Sequence, residues 1–233
     1  MVRAMLIAVL ITIGLQGNAQ TESRITRYNY FFLEAIRQQE MGNLAAAFDL
    51  LNHARDINPK APEVYYEIAG YYVAMQNSKA ARYNFEQAAK LAPDNSTYLE
   101  KLGQFYISQN NYEDALTTYE QLYTSNKTRE DVLQILYQLY GAQNNYKKMI
   151  EMIERMELLS GASEQLSLTK MQIYEQMGDK RKAQAELLRL VQKNPLELNY
   201  RVMLGNWLLQ NNKKKEAYNE YQTVLKEDPN NAA

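Results

Sequence analysis

The sequence predicts an all-α chain of paired helices repeated every 34 residues, and three observations carry this. Pro59 to Pro93 and Pro195 to Pro229 each span 34 residues, while Pro93 to Pro195 spans 102, three times as many. Alanine recurs on the same grid at Ala47, Ala81, Ala115, Ala183 and Ala217, with Met149 in the remaining slot. A bulky residue follows four places later each time: Leu51, Phe85, Tyr119, Ile153, Leu187 and Tyr221. Self-similarity without an insertion marks a repeat architecture, in which each unit buries its apolar face against its neighbours. The register gives six units, at 28–61, 62–95, 96–129, 130–163, 164–197 and 198–231.

Each unit reads as two helices. In the second, Val64, Tyr65, Ile68, Ala69, Tyr72 and Val73 keep helical spacing. Gln76-Asn77-Ser78 interrupts the run, the pattern resumes at Ala81, Phe85, Ala88 and Leu91, and Pro93 stops it. Breaks recur at Gly42-Asn43, Asn110-Asn111, Asn144-Asn145, Gly178-Asp179 and Asn211-Asn212. Gly and Asn tolerate the left-handed backbone that ends a helix. No long stretch alternates with period two, so strands are not expected.

Met1–Gln20 reads as an address. Arg3 supplies a positive start, Ala4–Leu15 is apolar apart from Thr12 and Gly14, and Gly17 and Ala19 make a small-x-small site. The pattern predicts a signal peptide at 1–19 with cleavage after Ala19, followed by a lead-in at 20–27. A spanning helix needs about 20 apolar residues, so no anchor is expected in the mature chain. The expected location is outside the cytoplasm, in the periplasm of a Gram-negative bacterium.

Composition removes most chemistry. The 233 residues are 46% hydrophobic and 23% charged, which leaves ample apolar surface to bury. With no Cys there is no thiolate site or lipid attachment at cysteine, and one His cannot build a multi-histidine metal centre. A net charge of −1 gives no bulk attraction to nucleic acid or an anionic membrane. His53 lacks a constellation and reads as a helix-surface residue. There is no phosphate loop, nucleophile elbow or zinc-protease motif. Acidic pairs such as Glu113-Asp114 and Glu227-Asp228 read as helix-terminal charges, and the ten Met as gap-fillers. No enzyme, cofactor or metal is expected.

In the third unit the key positions are Leu99, Leu102-Gly103, Tyr106, Ala115, Tyr119 and Leu122. In the second they are Tyr65, Ile68-Ala69, Tyr72, Ala81, Phe85, Ala88 and Pro93. The sixth offers Leu204-Gly205, Ala217, Tyr221, Val224 and Pro229, with Arg201 departing at the first large slot. This pattern resembles the tetratricopeptide repeat (TPR) family across residues 28–231. Glu34 and Gln38 in the first unit, and Ser167 and Lys170 in the fifth, occupy slots that are usually apolar. The resemblance implies a right-handed α-solenoid of twelve helices that binds protein partners. Gly103 and Gly205 are expected to face Ala115 and Ala217 where paired helices cross. Tyr72, Tyr106, Tyr140 and Tyr174 are expected to fill the wedges between units.

The resemblance also implies a groove lined by the second, fifth, ninth, twelfth and thirteenth residues of each first helix. Carried over, these positions give an apolar floor of Phe32, Ile36, Tyr66 and Val73, and a column of amides at Gln104, Gln138, Gln172 and Asn206. Amides donate and accept, which suits the backbone of an extended peptide. The Lys–Asn pairing with which some TPR units grip acidic chaperone tails is absent. A rival surface is a basic edge of Lys147, Lys148, Lys180, Arg181, Lys182, Lys213, Lys214 and Lys215 at the turns between helices, where helix dipoles do not favour cations. It would dock an acidic partner or lipid headgroup. The expected function is a non-catalytic scaffold holding a peptide or partner protein in the groove. An alternative is the leading part of a larger envelope protein whose catalytic or signalling region lies beyond residue 233. A last helix with Tyr218, Val224 and Leu225 uncovered adds the expectation of self-association.

Overall fold

The computed structural model describes residues 22–230. The expected export signal lies outside them. Helices fill the described residues, and no strand occurs among them. The first helix, α1, covers 22–40, so it already runs through most of the expected lead-in. Arg24 Nε there donates to the Ile57 carbonyl at 2.5 Å, tying this turn to the end of the next helix. The others are α2 Leu44–Ile57, α3 Pro62–Ala74, α4 Ser78–Leu91, α5 Ser96–Ser108, α6 Tyr112–Ser125, α7 Glu130–Ala142, α8 Tyr146–Ser160, α9 Glu164–Gln176, α10 Lys180–Lys193, α11 Leu198–Gln210 and α12 Lys214–Glu227. From α3 onward, each first helix starts 34 residues after the last, as does each second helix from α2. The chain divides into two compact units, α1–α6 and α7–α12.

The turn inside each pair is one device used six times. Gly42, Gln76, Asn110, Asn144, Gly178 and Asn212 all have positive φ, between 54° and 79°. The following amide then reaches back over the helix end, as in Asn77 N–H to the Tyr72 carbonyl at 2.9 Å or Asp179 N–H to the Tyr174 carbonyl at 2.8 Å. This is the Schellman closure, which satisfies carbonyls the helix leaves open. The next residue often caps the second helix: Asn77, Asn145 and Asp179 each accept from a backbone amide three residues on. Gln76 holds the left-handed position without the help that Gly or Asn would give.

The alanine grid is the packing seam. Ala47, Ala81, Ala115 and Ala183 have no exposure, and Ala217 has 1%. Gly103 and Gly205 serve a different neighbour from the one expected. A Cβ on Gly103 would lie 2.7 Å from the Tyr119 ring, and one on Gly205 2.5 Å from Tyr221. The bare backbone therefore receives the ring four residues beyond Ala115 or Ala217, which is the bulky member of the repeat. Of the wedge tyrosines, Tyr106, Tyr140 and Tyr174 are buried, while Tyr72 is partly buried, edge-on to Phe48. In the first unit Ala35, Leu51, Val64 and Ile68 form a core, and in the second Ile153, Leu187, Leu204 and Trp207 do.

Two departures from the apolar pattern have physical answers. Ser167 and Lys170 are buried despite being polar. Lys170 Nζ lies 2.9 Å from Glu157 of α8 and 2.8 Å from Glu186 of α10. Arg189 Nη1 completes the ring at 3.1 Å from Glu157 and 3.4 Å from Glu186. Two carboxylates and two cations thus neutralise one another, as burial of charge demands. Glu34 sits in a smaller network: Arg37 and Gln38 donate to it, and Asn43 donates to Gln38. The hydrogen bonds from Arg37 and Gln38 hold the Glu34 carboxyl down to about 2. At α12, Tyr218 and Leu225 are exposed, but Val224 is 3% exposed; it lies on the inner stripe with Ala217, seven residues earlier, not on the uncovered face.

Candidate protein-interaction surface

Tyr66, Gly70 and Val73 fall three and four residues apart on α3, so they share one stripe. Lys101, Gln104 and Ser108 form the matching stripe on α5. Between the two stripes lies a cleft of about 420 Å³ in the first unit. Its walls include Phe85 of α4 and Phe105 of α5. The rings are continuous: Tyr66 lies 5.1 Å from Tyr98 and 6.3 Å from Phe85, and Phe85 lies 5.5 Å from Phe105. Burial pushes the Tyr66 and Tyr98 phenols up, so both stay neutral donors and acceptors in the physiological range. An apolar cleft with a few polar groups at its edge is the form that binding sites take.

Gly70 and Glu67 also line a second cleft of about 220 Å³, with Gln39, Leu44, Tyr71 and Ala74. Glu67 is partly buried, and desolvation raises its carboxyl above the ordinary glutamate range, opposed by a hydrogen bond from Gln39. Gly70 is exposed in the body of α3, and a Cβ there would meet nothing within 4 Å. Packing does not require this glycine, and glycine within a helix costs roughly 0.5–1 kcal/mol relative to alanine.

The structure brings Tyr66, Val73 and Gln104 together in the larger cleft. Phe32 and Ile36 are partly buried on α1 and do not line it; the Phe32 ring stacks on Tyr28 at 5.8 Å. Gln138, Gln172 and Asn206 are exposed on α7, α9 and α11 of the second unit. Asn206 Oδ1 accepts from the Tyr221 hydroxyl at 2.7 Å. Position-based reading missed Glu67, Lys101 and Phe105. Glu67 could have been found, because it stands three residues before Gly70 on the same stripe. The cleft is also less neutral than expected, since Glu67 and Lys101 both line it.

On the basic edge, part of the charge is answered locally. Lys148 pairs with Glu151 at 2.9 Å and Lys182 with Asp179 at 3.8 Å; Lys213 reaches Gln184 at 2.6 Å. The Lys182 ammonium also sits 5.2 Å from the centre of the Tyr174 ring. Lys147, Lys180, Arg181, Lys214 and Lys215 are exposed. His53 is exposed with its ring edge-on to Phe31 at 4.2 Å. Among the described residues, no group of three or more His, Asp or Glu could hold a metal ion, and no helix is long and apolar enough to cross a membrane.

The family profile described as tetratricopeptide repeat matches residues 66–129 and 168–232. The chain belongs to the tetratricopeptide repeat family. No curated protein sequence matches it. Among solved structures it is similar to a TPR protein from Parabacteroides merdae, with 16% identity, 86% of this chain and 80% of that one covered, and a TM-score of 0.53. It is also similar to a chain in the structure of Naa15/Naa10 bound to HypK-THB, with 18% identity, 94% and 34% coverage, and a TM-score of 0.62. MamA AMB-1 matches at 20% identity, 69% and 88% coverage, and a TM-score of 0.52. At these identities the likeness is one of fold: an all-α helical solenoid of TPR helix pairs. TPR proteins bind protein partners, so the fold is that of an interaction scaffold.

Proposed function

We propose that this TPR protein is a non-catalytic scaffold that holds an extended peptide segment of a partner protein in the cleft between α3 and α5. The observation that carries the reading is the aromatic wall of Tyr66, Phe85 and Phe105 beside the exposed Gln104 amide. A bulky side chain would fill the wall, and Gln104 would meet the peptide backbone. In the second unit, Gln138, Gln172 and Asn206 are proposed to do the same for backbone groups. Phe32 and Ile36 are proposed to extend the apolar contact along α1. Export to the periplasm is proposed from the signal pattern of residues 1–19; N-terminal sequencing of native protein should find Gln20 first, and finding Met1 would refute it.

The test is selection of binding peptides from a random dodecapeptide display library, followed by titration of the best one. Desolvated aromatic anchors dominate interfaces, so Tyr66→Ala should weaken binding by about 2 kcal/mol. Gln104→Ala should cost about 0.5–1.5 kcal/mol, as for a neutral hydrogen bond. The rival is docking at the exposed lysines of the basic edge. In that case Lys180→Glu with Lys182→Glu abolishes binding, Tyr66→Ala leaves it intact, and the groove reading fails.

A further inference from the structure

We propose that the two clefts on either side of Gly70 form one track, and that the peptide it takes carries a bulky apolar residue in the larger cleft and a Lys or Arg against Glu67 in the smaller one. The inference rests on the groove reading above and adds the chemistry of the occupant.

Gly70 is the first ground. It lines both clefts, and it is exposed in the body of a helix with open space where a Cβ would stand. Gly103 and Gly205 are glycine because rings press on them; nothing presses on Gly70. A residue that disfavours helix and serves no packing leaves a low saddle between the clefts. An extended backbone can cross such a saddle at close range, which any larger side chain would block.

Charge is the second ground. The larger cleft is lined by both Glu67 and Lys101, whereas Glu67 is the one charged group lining the smaller cleft. Lys101 Nζ leans towards Gln104 Oε1 at 3.4 Å, on the α5 side. A cation is therefore opposed near α5 and favoured at the smaller cleft. Leu44, Tyr71 and Ala74 there offer apolar surface for the aliphatic stem of a Lys or Arg, with its charged head at the carboxylate. Glu67 is partly buried, and desolvation raises its carboxyl against the opposing hydrogen bond from Gln39, so a cation arriving from a ligand would relieve a standing penalty. Side chains two apart on an extended chain lie on one face, about 7 Å apart, so the apolar and basic residues are expected within three positions of each other.

The experiment uses the full chain and three synthetic dodecapeptide arrays. Each has a fixed central Trp and degenerate neighbours, with Lys, Gln or Glu placed in turn at each position within three residues of it. The Lys array should give the binders. For the best peptide, replacing its Lys by Gln should weaken binding about tenfold or more, as for loss of a charge-assisted hydrogen bond, and that loss should vanish in Glu67→Gln. Gly70→Leu should weaken binding at least as much with no fall in melting temperature. If binders show no preference for Lys, or Glu67→Gln or Gly70→Leu binds them unchanged while Tyr66→Ala weakens them, the track is wrong and the groove reading stands. If Tyr66→Ala also binds unchanged, or no array binds, both readings fail.

Discussion

Replacing Lys170 by Met tests how the second unit tolerates charge in its interior. The Lys170 side chain is 4% exposed and sits between Glu157 and Glu186, which are 12% and 13% exposed. Met keeps an unbranched apolar stem that reaches as far as Cε but removes the ammonium. Arg189, at 35% exposure, then faces two carboxylates alone, leaving one uncompensated negative charge near the α8–α9–α10 junction. Removing one partner of a buried pair costs roughly 3–5 kcal/mol. The carboxylates keep an edge to solvent and Arg189 remains, so the low end applies, about 3 kcal/mol. At about 4 °C per kcal/mol for a domain of ~100 residues, the melting point of the unit should fall by about 12 °C. Trp207 is the only tryptophan, is 5% exposed, and donates to Glu175 at 2.5 Å, so its fluorescence in urea reports on this unit. Lys170→Met with Glu186→Gln leaves a neutral Glu157–Arg189 pair and should be more stable than Lys170→Met alone. A loss under about 1 kcal/mol, or simple additivity of the two changes in the double-mutant cycle, would refute the coupled ring.

Three further outcomes are expected. Ala115→Phe should cost roughly 1–3 kcal/mol or more by overpacking a fully buried seam, with the damage spreading to neighbouring helix pairs; an unchanged melting curve would contradict the repeat register. Gly70→Ala should raise stability by roughly 0.5–1 kcal/mol in thermal melts, since the new methyl meets nothing, and a loss of stability would show that packing holds the glycine. Burial raises the Glu67 carboxyl, so the folded chain holds that proton more tightly than the unfolded one. Stability therefore falls as pH rises from the ordinary glutamate pKa, about 4.3, through the raised value, and Glu67→Gln should be the more stable protein at pH 7 with the advantage fading below about pH 4. An advantage that persists at low pH would assign it to something other than ionisation.

The fold was legible because its determinants repeat. Each left-handed turn residue and each seam alanine stands at a fixed offset, so one unit predicts the others. What escaped reading was the contact between side chains whose offsets do not repeat. Lys170 looks like a misfit in its own unit, because Glu157 and Glu186 belong to other helices and meet it only after folding. Register alone pairs Gly103 with Ala115, yet ring size makes Tyr119 the group that needs the space. At the cleft, Tyr66, Val73 and Gln104 were legible from helix position. Glu67 and Phe105 lie outside the positions the family pattern assigns to the groove; the stripe that Glu67 shares with Gly70 points to the first, and only the folded wall of the cleft reveals the second. Val224 shows the same limit at α12, where a residue read as uncovered is turned inward by helix phase.

Amide chemical-shift mapping of the full chain, titrated with the peptide selected from the random display library, tests the central claim most directly. The account predicts that perturbations cluster at Tyr66, Glu67, Gly70, Gln104 and Phe105. Shifts confined to Lys180–Lys182 and Lys213–Lys215, or to Tyr218 and Leu225, with the α3–α5 cleft unmoved, would contradict it.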